Sequence, residues 1–188
     1  MQSSGPALVI VSGAPASGKS TLARRLADDL RLPLLSKDVL KERLADSLGA
    51  PMDVPASSRL GAASYAVLYH VATCLLAAGT AVMVESNFRR GLSENDLRPL
   101  LATASGLLVH CAADPAVLER RYRRRHLSGE RHVAHLDGAR AAALADDLAT
   151  GRFEPLALEL PVLRVEFDGE WHPAYEEIRE IVAGRIPA

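Results

Sequence analysis

Aromatic residues make up only 4% of this 188-residue chain, which leaves few flat faces on which the bases of a single-stranded nucleic acid could stack. The formal net charge of -1 and isoelectric point near 6.6 remove the global positive field that non-specific nucleic-acid binders carry. Any basic surface must therefore be local. Cysteine is nearly absent: Cys74 and Cys111 lie in apolar segments without C-x-x-C spacing. They read as reduced core thiols rather than a disulfide or metal pair, which suits a cytoplasmic protein. Lysine is the scarcest cation, with Lys19, Lys37 and Lys41 set against nineteen arginines. The start of the chain lacks a basic n-region, and "ALVIV" is too short for a signal core, so secretion is not expected. The longest apolar stretch, Tyr65 to Val84, is interrupted by His70 and by Gly79-Thr80. It reads as a helix followed by a buried strand and not as a membrane span.

What is present alternates. "ALVIVSG", "LPLLS", "TAVMVE", "GLLVHCA" and "PVLRVEF" are short apolar runs with the character of buried strands. Between them lie helical patterns: Leu22, Leu26 and Leu30 at every fourth residue, then Asp38 to Leu48, Arg59 to Ala78, Ser93 to Ala104, a helix opened by Pro115, and Ala174 to Ala183. "GAPMDVPASS" reads as a connector. Apolar strands separated by helices predict an α/β chain with a parallel sheet covered on both faces, and the length suits a single domain spanning residues 1–188.

Between the first strand and the first helix stands "GAPASGKS", Gly13 to Ser20, which fits G-x-x-x-x-G-K-[ST] in the context that motif requires. Its glycines let backbone N–H groups turn inward around phosphate oxygens, and the helix start adds its positive dipole end. The expected nucleotide contacts are Gly13, Ala14, Pro15, Ala16, Ser17, Gly18, Lys19, Ser20 and Thr21. Within that set Lys19 reaches the β- and γ-phosphates, and the Ser20 hydroxyl ligates Mg2+. No N-K-x-D guanine signal occurs, which favours ATP over GTP.

What happens to the nucleotide depends on the carboxyl ends of the other strands, where open α/β sheets bind ligands. Asp38, in "SKD" after the second strand, is the candidate general base, with capping of the next helix as its plain alternative. Glu85, in "ESNFRR" after the third strand, is a candidate magnesium support or acceptor contact, and Asp38 is the other carboxylate within reach of the ion. Asn87 is a candidate acceptor contact, with a loop or cap role as its alternative, and Arg89 and Arg90 are candidate contacts for an anionic substrate group, with a solvated loop edge as the favoured alternative. "RRYRRRHLSGER", Arg120 to Arg131, holds six arginines and one glutamate. Arg120 and Arg124 share a helical face, and Arg131 lies beyond "LSGE", so an arginine-rich lid over about residues 120–137 is expected to supply Arg120, Arg124 and Arg131 to the phosphates. His126, His132 and His135 match no standard zinc spacing. "FDGEW" is a candidate lining of the adenine pocket, with a plain turn as its alternative.

"GAPASGKST", "LLSKD", "VESNFRRG" and "LERRYRRR" together resemble the small P-loop kinases of the AAA_33 type, a group similar to chloramphenicol phosphotransferase, the zeta-toxin kinases and the kinase domain of polynucleotide kinase. The resemblance runs over about residues 7–185. It implies a P-loop NTPase three-layer sandwich with a five-stranded parallel sheet in the order 2-3-1-4-5, together with ATP and Mg2+. It also implies Asp38 as the catalytic aspartate, and Arg120 and Arg124 as lid arginines, with Arg125 in an alternative register. Where polynucleotide kinases tend to carry Asp-Thr-Asn after the third strand, this chain has Glu85-Ser86-Asn87. Three functions stay open: an ATP-dependent kinase of a small hydroxyl-bearing molecule such as an antibiotic, sugar or nucleoside-type metabolite; a polynucleotide 5′-hydroxyl kinase; and a nucleotide-driven ATPase switch without an acceptor. The first is favoured, with no membrane partner.

Overall fold

A computed structural model describes residues 5–127, 132–136 and 144–187, apart from the side chain of His126. The strands are β1 (Ala7–Gly13), β2 (Leu34–Ser36), β3 (Val82–Glu85), β4 (Ser105–Ala112), β5 (Val162–Phe167) and β6 (Trp171–His172). The helices are α1 (Lys19–Leu30), α2 (Lys37–Leu48), α3 (Val54–Ala77), α4 (Glu94–Leu101), α5 (Pro115–Leu127), residues 144–149 (α6) and α7 (Tyr175–Ala183), with a 3-10 turn at Val133–His135. The sheet order is β2-β3-β1-β4-β5-β6. Its first five strands are parallel in the expected order, and the short antiparallel β6 is an addition to the five expected strands.

Strand alternation divides the core. Along β1, Val9 and Val11 pack with Leu22 and Leu26 of α1 and Ile178 and Val182 of α7. Leu8 and Ile10 point the other way, onto Leu68, Ala72 and Leu76 of α3 and Leu97 and Leu100 of α4. Both faces of β1 are thus dry, which is why its sequence is a continuous apolar run rather than an alternating one. The register pairs Val11 with Glu85 and Ser36 with Glu85, so the carboxyl ends of β1, β2 and β3 meet at one edge.

The structure departs locally from expectation at the start of α3, at Cys74 and at the end of α4. Helix α3 starts at Val54, inside the expected connector, because Asp53 accepts the Ala56 N–H at 2.7 Å and Pro55 sits in the first turn, where its missing N–H costs nothing. Cys111 is buried but Cys74 is exposed. The buried stripe of α3 runs through Ser64, Leu68, Ala72 and Leu76, and Cys74 falls two residues off that stripe at each side. Helix α4 ends at Leu101, three residues short of the expected Ala104, and β4 begins at Ser105.

Glu94, buried in the first turn of α4, accepts the Ala157 N–H at 3.0 Å and so ties the segment before β5 to the α3–α4 layer. Burial pushes its carboxyl up, but backbone N–H donors outweigh burial and hold it below the usual glutamate range. The stability it adds is complete above the ordinary glutamate value and is lost as pH falls through the lower folded value. Replacing Glu94 by Ala is expected to cost about 1–3 kcal/mol near neutral pH. Thermal melts across pH check this, because the difference from wild type should shrink in acid.

Candidate active site

The loop between β1 and α1 turns through three left-handed residues, Gly13 (φ 146°), Ala16 (φ 68°) and Gly18 (φ 91°). Any side chain at Gly13 would strike the Cys111 carbonyl at the end of β4, so the loop can hug the sheet only with glycine there. Ala16 holds a conformation that costs an L-residue about 1–2 kcal/mol, strain of the kind stored where a backbone must present its amides to a ligand. Lys19 is 5% exposed and its Nζ donates to the Ala14 carbonyl at 3.3 Å, which folds it back over the loop. Burial pulls its amine below the ordinary lysine range, and Glu85 and Asp38 oppose that pull. Phosphate oxygens would add to the same opposition.

Glu85 is buried at the sheet edge. Its Oε1 accepts from Ser20 Oγ at 3.0 Å and its Oε2 from Ser36 Oγ at 2.6 Å. A carboxylate with two hydroxyls is a hard oxygen set that fits Mg2+, an ion that takes only one or two protein ligands and completes its shell with water and phosphate. Among the described residues no group of three or more His, Cys, Asp or Glu side chains gathers into a fuller metal cage.

Three cavities join here. One runs along the loop, lined by Gly18, Lys19, Ser20, Thr21, Arg124 and Arg125. A second, about 580 Å³, lies between α2 and α3 against Tyr65 and Tyr69. A small one of about 110 Å³ connects them: it shares Lys19, Ser20 and Arg125 with the first, and Lys37, Lys41, Asn87 and Arg89 with the second. Asp38 lines this junction. It sits in the first turn of α2, Ser36 holding the N-cap position, so it is not the cap itself. Lys37 Nζ lies 3.2 Å from Asp38 Oδ1 and His135 Nδ1 lies 3.9 Å from it, while His135 Nε2 meets Glu42 Oε1 at 2.8 Å. A glycine-framed loop, a carboxylate that fits magnesium and a second carboxylate beside a further cleft are groups of the kind phosphoryl transfer uses.

The AAA_33 profile, an AAA domain, matches residues 8–146. The chain belongs to this family. It is 37% identical to a protein from Chloroflexus aurantiacus whose designation as a kinase is provisional, with 97% of this chain and 100% of that one covered and a TM-score of 0.86. Similar folds at lower identity include a Sinorhizobium meliloti gluconokinase (18% identical, 96% and 91% covered, TM-score 0.54). Another is the Mycobacterium tuberculosis APS kinase, crystallised with AMPPNP and APS (20% identical, 96% and 97% covered, TM-score 0.58). Among curated proteins nothing matches.

In this AAA_33 chain the helix α5 turns Arg121, Arg124 and Arg125 toward the loop cavity. Arg120 lines a separate cleft with Glu119 and Arg123 and not the loop cavity, while Arg124, which shares its face, borders both. The helical phase explains this: residues 121 and 125 are one turn apart, with 124 beside them, and 120 lies on the other side of 124. Arg131, and with it part of the expected lid, lies outside the described residues. Arg89 pairs with Asp147 at 2.6 Å at the junction, Asn87 lines both the junction cavity and the α2–α3 cleft, and the Arg90 side chain is exposed. Of the candidate histidines, His132 meets Asp46 at 3.0 Å, whereas His135 reaches the Asp38 cluster.

"FDGEW" lies beside the loop. Trp171 packs over Gly18, where an added Cβ would sit 3.4 Å from the indole, and against Phe167 with ring centroids 4.6 Å apart. Arg121 donates to the Phe167 carbonyl at 2.8 Å. An aromatic wall with a cation at its edge suits a base at the end of the phosphate loop. Lys37, Lys41, Tyr65 and His135 are site residues that motif reading did not single out. The scarcity of lysine was the available signal for two of them.

Proposed function

We propose that this protein is an ATP-dependent phosphotransferase that moves the γ-phosphoryl group of ATP to a hydroxyl of a small molecule. The observation that carries the reading is the junction cavity, where Asp38 and Lys19 face one space that opens on one side to the phosphate loop and on the other to the α2–α3 cleft. The fold shared with the sugar-acid and APS kinases and the family membership support the same class of reaction.

ATP lies with its triphosphate across Gly13 to Thr21 and its base toward Trp171. Ser20, Glu85 and Asp38 are the residues that would hold Mg2+, which would supply neutralisation of the phosphate charge. Asp38 accepts the proton of the acceptor hydroxyl, whose oxygen forms a bond to the γ-phosphorus as the bond to the β-bridging oxygen breaks and ADP leaves. Lys19, Arg124 and Arg125 hold the transferring oxygens, with Asn87 and Arg89 on the acceptor side. Free thiols at Cys74 and Cys111 accord with a cytoplasmic location.

Label transfer from γ-labelled ATP tests this. Label is expected to move to a member of a hydroxyl-bearing metabolite and antibiotic pool. Movement to a 5′-hydroxyl oligonucleotide instead would make the protein a polynucleotide kinase, and release of free phosphate alone would make it an ATPase without an acceptor.

A further inference from the structure

Arginine supplies nineteen of the twenty-two basic side chains in this chain, so lysine is the exceptional choice. All three lysines line the one junction cavity. Lys19 belongs to the phosphate loop. Lys37 and Lys41 do not: they stand one turn apart on the same face of α2, and both also line the α2–α3 cleft. The charged side chains that line the cleft are Lys37, Lys41, Arg89 and Asp96, and behind them Asp38 pairs with Lys37 and Asp147 with Arg89.

Both lysines are held in position. Lys41 is 2% exposed and donates to Ser57 Oγ at 2.6 Å, and that hydroxyl donates in turn to the Ala134 carbonyl at 2.8 Å. Lys37 crosses α3 at Gly61, with its Nζ 5.7 Å from the centre of the Tyr65 ring. Tyr65 is fixed in turn by a 2.7 Å hydrogen bond to Ser86 and a stacked Tyr69. A bound anion would accept charge-assisted hydrogen bonds from these ammonium groups, and a lysine presents a compact point charge where a guanidinium would fill the space.

We propose that the acceptor is an anion: a small hydroxy compound that also carries a carboxylate or a phosphate monoester, held by Lys37 and Lys41 between α2 and α3 while its hydroxyl faces Asp38. This rests on the kinase reading for the fate of the hydroxyl, but the anion site stands on the cleft alone.

The test uses matched acceptors: glycerol, glycerate and glycerol 3-phosphate, and sorbitol, gluconate and sorbitol 6-phosphate. Label transfer from ATP is measured beside calorimetric titration of the protein loaded with magnesium and a non-hydrolysable ATP analogue. Anionic members are expected to bind and to take label, and their neutral parents to do neither. Lys37→Gln is expected to weaken the anion about 10- to 100-fold, the range of a lost charge-assisted hydrogen bond, and Lys37→Arg to recover most of it. Neutral parents that bind as well as their anions, anions that fail to bind, or anion binding indifferent to Lys37→Gln would each overturn the anion site. Anion binding that depends on Lys37 with no label moved would sink the kinase reading and leave the anion site standing.

Discussion

Replacing Lys19 by Ala is expected to abolish phosphoryl transfer, with a loss of at least 100- to 1,000-fold, the scale set by removing one preorganised donor from a transition state. The effect should be larger than loss of a lid arginine. Glu85 and Asp38 both face Lys19, so without its charge the γ-phosphate would meet two carboxylates and the site would turn from attractive to repulsive. Nucleotide affinity should fall with turnover, because the same ammonium holds ground state and transition state. Misfolding can be separated from this loss. Burial holds the Lys19 amine below its ordinary range, so the nucleotide-free protein should become more stable as pH rises from that lowered value toward the ordinary lysine value. Lys19→Ala should remove this rise and melt no lower than wild type at neutral pH. A variant that melts several degrees lower would mean that Lys19 supports the loop and does not merely serve the nucleotide.

The pattern of strands and the phosphate loop could be read before any coordinates because both are local. A continuous apolar run such as Leu8 to Val11 declares a strand buried on both faces, and a glycine-framed loop with one lysine declares its ligand by spacing alone. β6 was not legible: two residues, Trp171 and His172, form a strand only because β5 offers an edge. Site residues divided along the same line. Glu85 and Asp38 follow strands directly and their positions come from the sheet. The arginine face of α5 depends on helical phase, where a shift of one residue turns a side chain by about 100°, so Arg121 lines the loop cavity and Arg120 does not. His135 meets Asp38 across 97 residues of chain, and no local pattern carries such a contact.

Replacing Asp38 by Asn is expected to produce the opposite kinetic signature from Lys19→Ala. Affinity for the ATP analogue should stay within about 3-fold of wild type, while transfer falls about 100- to 10,000-fold, the range general acid-base catalysis contributes. The argument is geometric. Asp38 lines the junction cavity but not the cavity along the phosphate loop, so its carboxylate bears on the acceptor hydroxyl more than on bound nucleotide. An amide keeps the shape and an acceptor oxygen for Lys37, and cannot take a proton. Acceptor KM should therefore change little while kcat collapses. Steady-state kinetics at fixed magnesium, with ATP and acceptor varied in turn, makes the comparison. If Asp38→Asn retained wild-type transfer, the proton would have to leave by another route, and His135, which lines the same junction beside Asp38, would be the next residue to replace. If nucleotide affinity fell in step with transfer, Asp38 would be acting mainly through the metal it shares with Ser20 and Glu85, and its assignment would move from base to ligand.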